Sequence, residues 1–82
     1  MEYFLKRYRD FETTLNLHLL VPSDILKRIG DLNKQLYAHL DKKDVKTLEQ
    51  KFDEIDKKNK NYDGLKAFVE VVIKTIEGTM HP

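Results

Sequence analysis

An all-α fold, a small antiparallel bundle of three to four helices, is predicted for this 82-residue chain from three observations. Apolar residues recur three and four positions apart in four successive segments, the period of a helix with one buried face. Short breaks carrying proline, glycine or clustered polar residues separate those segments, which favours antiparallel neighbours. The length leaves room for one core only, so residues 1–82 are read as a single helical domain.

The first segment carries Phe4, Tyr8, Phe11, Leu15 and Leu19 on one face and predicts a helix over 3–20. It stops where Leu19-Leu20-Val21-Pro22 turns uniformly apolar, because Pro22 disfavours helical geometry in Val21. Ser23 or Asp24 is expected to cap a second helix, 24–40, with Ile25, Ile29, Leu32, Leu36 and Leu40 inward. Gly30 interrupts it at a cost of roughly 1 kcal/mol relative to alanine, so either another backbone packs closely there or the helix is locally weak.

Asp41-Lys42-Lys43-Asp44 forms a polar break in which either aspartate can cap a third helix, 44–58, bearing Val45, Leu48, Phe52 and Ile55. On its outer face Asp53–Lys57 and Glu54–Lys58 are spaced as supporting ion pairs. The run Lys58 to Gly64 reads as a loop, with Asp63 capping a fourth helix over 64–77 and Gly78 ending it. That last segment is the most apolar: Leu65, Phe68, Val69, Val72, Ile73 and Ile76 form a broad face with Ala67 and Val71 beside it. Its β-branched residues would also suit a strand, but a lone strand has no ladder partner in this chain, so helix is expected.

Composition narrows the function. There is no cysteine, which removes disulfides, thiol catalysis and thiolate metal sites and fits a reducing, cytoplasmic setting. Fifteen Lys and Arg against fourteen Asp and Glu leave a net charge of +1, so no global field draws the chain to nucleic acid or an anionic membrane. No stretch is apolar for long enough to span a bilayer, and the N-terminus lacks the order of a secretory signal. The chain begins with methionine and carries no obvious tag, so a complete small protein is expected.

No chemically competent cluster is visible. His18, His39 and His81 are not spaced as helical metal ligands, although His18 and His39 are expected to approach if the first two helices pack antiparallel. No Gly-rich phosphate loop, nucleophile elbow or acid pair stands out, so neither an enzyme nor a cofactor-binding protein is expected. Lys6, Arg7 and Arg9 with Lys27, Arg28 and Lys34 could form a basic face for nucleic acid. Glu2, Asp10, Glu12, Asp24 and Asp31 interleave them, which makes this the lesser reading.

Leu40, Val45, Leu48, Phe52 and Ile55 followed by Asp56, with Phe68-Val69-Glu70-Val71-Val72 beyond, resemble the two helices flanking the calcium loop of an EF-hand. The frame those flanks impose puts Lys58 and Lys60 at ligand positions, Asn61 at the glycine and Ala67 at the bidentate glutamate, so it cannot hold calcium. A second frame, Asn59, Asn61, Asp63, Gly64 and Glu70, supplies oxygen ligands and the glycine but puts Lys66 at the apolar position. The resemblance thus implies at most a degenerate EF-hand-like module around residues 40–72.

The apolar excess carries most weight. Helix four is apolar around more of its circumference than a peripheral helix needs, so either it is central to the monomer or part of it meets another chain. A protein partner or a second copy is the expected ligand, with Val69, Val72, Ile73 and Ile76 as its interface and Leu20 and Val21 secondary.

Overall fold

A computed structural model describes residues 1–58 and 60–80. The chain forms α1 (Glu2–Asn16), α2 (Pro22–Tyr37), α3 (Lys42–Lys58) and α4 (Tyr62–Met80), and no strand occurs among the described residues. The fold is the expected antiparallel helical bundle, with a radius of gyration of 11.9 Å, close to the roughly 12 Å of a compact chain this long.

Each boundary has a local cause, and several differ from expectation. Helix α1 stops at Asn16 rather than 20. Its end is a Schellman motif: the Leu19 N–H reaches the Thr14 carbonyl at 3.1 Å, the His18 N–H reaches Leu15 at 3.3 Å, and His18 has a φ of 52°. The chain must reverse before Pro22, which sits in the first turn of α2 and leaves Val21 extended as its N-cap. Neither Ser23 nor Asp24 caps α2, because proline at the helix start moves the boundary ahead of both.

Helix α2 unwinds after Tyr37, since Asp41 has to leave the helix to cap α3, where its Oδ1 accepts the Asp44 N–H at 2.9 Å. Asn61, not Asp63, caps α4: its Oδ1 accepts the Gly64 N–H at 2.7 Å. Gly78 does not stop α4, which runs on to Met80 with Gly78 in ordinary helical geometry.

Helix α4 packs against all three other helices, which explains its wide apolar face. Val69, Val72 and Ile76 are fully buried and Ile73 nearly so, beside Tyr8, Leu15, Ile25, Ile29, Leu36, Leu48, Leu65 and Phe68. The interface expected at Val69, Val72, Ile73 and Ile76 is therefore occupied by the monomer's own core.

The bundle is closed unevenly. Helix α3 has a thin apolar stripe, with Leu48 and Ile55 as its buried residues, and packs it on α4. Between α2 and α3 the main filler is the half-buried Phe52, whose ring lies against Gly30; a Cβ there would stand 3.2 Å from Phe52 Cζ. A side chain, not a backbone, thus occupies the space this glycine leaves. The rest of the seam is an open cleft of about 640 Å³.

The EF-hand-like unit expected around 40–72 is not formed. Residues 62–70 belong to α4, Asn61 is spent on capping it, and the glycine of the second frame, Gly64, is helical. Asn59 lies outside the described residues. The reversal between α3 and α4 is too short for a twelve-residue ion loop.

Candidate functional site: an apolar elbow and a polar-floored cleft

The connection from α1 to α2 puts four large apolar residues in a row of five, and Pro22 and the Schellman turn together keep them out of either helix. Leu17 and Leu19 are each 63% exposed and Val21 is 55% exposed, whereas Leu20 is half-buried against the core. Only Leu20 finds space inward, because the reversed chain presents alternate side chains to the bundle and to solvent.

The elbow is held from α4. The His18 ring stacks on Tyr62, and the Tyr62 hydroxyl donates to the Leu20 carbonyl at 3.0 Å. Two independent contacts from one tyrosine therefore fix a segment of five residues.

The second feature is the floor of the α2–α3 cleft. Asn33 is the one buried polar residue among the described residues, 2% exposed, and its Oδ1 accepts the Tyr8 hydroxyl from α1. Among the described residues its Nδ2 has no partner, and one helical turn on, the Tyr37 hydroxyl is also buried without one. Both residues line the cleft. Burial, with Glu49 nearby adding to it, pushes the Tyr37 hydroxyl up to about 12. Burial, then Tyr37, raises that of Tyr8 still further. These shifts keep both phenols neutral and so suit hydrogen bonding rather than proton transfer near neutral pH.

Family models, curated proteins and solved structures all give no match to this chain.

The remaining sequence-derived candidates are dispersed. Lys6 and Arg9 share a shallow depression with Glu2 and Asp10 under Met80, whereas Lys27 and Lys34 lie on the α2–α3 cleft. Arg7 is held by its own helix, donating to the Tyr3 hydroxyl at 2.9 Å, and Arg9 faces Glu77 at 3.4 Å. Arg28 is exposed on α2. Lys6 and Arg9 thus stand at one concavity, Lys27 and Lys34 at another, and Arg7 and Arg28 at neither.

His18 and His39 do not approach each other. His39 packs against Phe4 near the start of α1 while His18 follows its end, so antiparallel packing separates them by about the helix length, roughly 22 Å for fifteen residues. Among the described residues no three His, Asp or Glu side chains gather as a metal would require; His81 lies outside them. No helix among the described residues is long and apolar enough to cross a membrane.

Of the two residues the sequence marks at this connection, Val21 is exposed and Leu20 turns inward; Leu17, Asn33 and Tyr37 carry no such mark, and Leu19 stands outward beside Val21. Leu19 continues the period of Leu15, which places it on the helical face until the turn at His18 ends the helix. Asn33 left a signal: it follows Ile25 and Ile29 at four-residue steps, which places an amide on the core face of α2.

Proposed function

We propose that this chain is a non-enzymatic protein-binding module that engages its partner through the elbow Leu17, Leu19 and Val21. The observation that carries this reading is the clamped exposure of three neighbouring large apolar side chains, where the other exposed large hydrophobic among the described residues is the isolated Tyr3. Adjacent exposed apolar residues mark contact sites, and a segment already held in one conformation loses little entropy on binding.

The occupant is a different protein with an apolar recess. Three side chains at one bend cannot supply the roughly 800 Å² per partner of a standard stable interface by meeting a second copy of themselves. A partner that encloses the elbow can add the neighbouring rim. Regulator, adaptor, co-chaperone and immunity or antitoxin-type roles all fit such a module, and a reducing, cytoplasmic setting is part of the proposal because the chain has no cysteine.

The test compares the wild-type chain with a Leu19→Asp/Val21→Asp double variant in affinity capture from the native host, with light scattering of each alone. A protein held by the wild type and lost by the variant, both chains being monomeric, is expected. Capture unaffected by the two charges, or dimerisation of the wild type that they abolish, overturns the reading.

A further inference from the structure

The α2–α3 cleft has no part in the elbow's binding role, and its floor breaks the usual rule for buried polar atoms. A nitrogen and a hydroxyl, one turn apart on α2, lie out of solvent with no partner among the described residues. The great majority of such atoms are paired, and each left unpaired costs stability. Burying Asn33 at all is unnecessary for packing, since a leucine would fill the same face of α2. Because Oδ1 is committed to Tyr8, the planar amide leaves its N–H₂ on the side away from α1.

We infer that the cleft between α2 and α3 is a binding site for a small neutral molecule that combines an apolar body with a carbonyl-type oxygen. The body lies on Leu26, Gly30 and Phe52; Asn33 Nδ2 and the Tyr37 hydroxyl lie just beneath the cleft surface, and the oxygen accepts from them once the side chains above shift to admit it. With no side chain at Gly30, the Phe52 ring lies directly on the α2 backbone and gives the cleft a flat apolar wall. The volume of about 640 Å³ lies in the range of small-ligand sites. The carboxylates lining the cleft, Asp31, Glu49, Asp53 and Asp56, outnumber the lysines Lys27, Lys34 and Lys60, and Glu49 is the charge beside Tyr37, so an amide or ketone oxygen is favoured there over a carboxylate.

Three probes of similar shape test this by titration of the ¹⁵N-labelled full chain: phenylacetamide, which has the neutral acceptor, ethylbenzene, which has none, and phenylacetate, which is charged. Phenylacetamide is expected to bind with a dissociation constant on the order of millimolar. It should shift the backbone amides of Gly30 and Tyr37 and, as the specific signature, the side-chain NH₂ of Asn33. Tyr37→Phe should weaken it about fivefold, one hydrogen bond's worth, with an otherwise unchanged spectrum. Lys6→Ala, in the separate depression on α1, should leave affinity unchanged and serves as the control. Equal or tighter binding of ethylbenzene or phenylacetate, indifference to Tyr37→Phe, or no shift of cleft residues at probe saturation overturns the inference. None of these results bears on capture through Leu19 and Val21, so the two proposals fail separately.

Discussion

The imidazole of His18 lies flat on the phenol of Tyr62, the ring centroids 3.9 Å apart and the planes 7° from parallel. His18 also holds the left-handed backbone position that ends α1, where glycine is the usual residue. Its side chain therefore offsets at the elbow the strain its backbone creates.

Replacing His18 separates the two terms. His18→Ala keeps the left-handed backbone, which costs a non-glycine residue about 1–2 kcal/mol, and loses a stacked pair contributing about 0.5–1.5 kcal/mol; a loss near 1 kcal/mol is expected. His18→Gly loses the same stack but relieves the backbone by about 1–2 kcal/mol, so its unfolding midpoint in urea should lie above that of His18→Ala and close to or slightly above the wild type.

The Tyr8–Asn33 bond should behave as a unit. Tyr8→Phe leaves both polar atoms of a buried amide without a partner and is expected to cost about 1–3 kcal/mol by denaturant titration. In the Tyr8→Phe/Asn33→Leu double variant neither group remains, and most of that loss should return. A double-mutant cycle without coupling would show that the bond contributes nothing specific.

Alkaline pH should destabilise the fold through its buried phenols. Tyr37 is pushed up to about 12 from an unfolded value of 10, so its proton is held more tightly in the folded state. Stability linked to it is fully present below pH 10 and declines as pH rises from there toward 12. Tyr8 shifts in the same direction and extends the decline. Urea midpoints measured at stepped pH should fall across this window, and Tyr37→Phe should make the fall shallower.

Gly30→Ala should stabilise the protein by up to about 1 kcal/mol, the helix-propensity gain. The new Cβ meets only the end of the Phe52 ring at 3.2 Å, and that ring borders open cleft into which it can shift by a few tenths of an ångström. A lower thermal midpoint would mean that Phe52 is held more firmly than its half-buried position implies.

Val72→Asp separates core from surface. A carboxylate at this fully buried position should unfold the chain, with loss of the far-ultraviolet helical signal. At Leu19 the same residue should change stability by less than about 0.5 kcal/mol, and at Val21, the uncapped N-cap of α2, it should stabilise by about 0.5–2 kcal/mol.

Periodicity by itself determined that this chain is helical, where the four helices lie to within a few residues, and which face of each turns inward, because a helix repeats its side-chain directions in a way that needs no knowledge of its neighbours. Which apolar residues stayed outside was a tertiary decision. Val69, Val72 and Ile76 looked like surplus until three helices were found packed around α4, and Leu19 looked like core until the turn at His18 swung it outward. The open seam over Asn33 and Tyr37 likewise depends on α3 giving its narrow stripe to α4 rather than α2. Local sequence specifies each helix's own face, whereas the competition among helices for one small core is resolved only when all four are assembled.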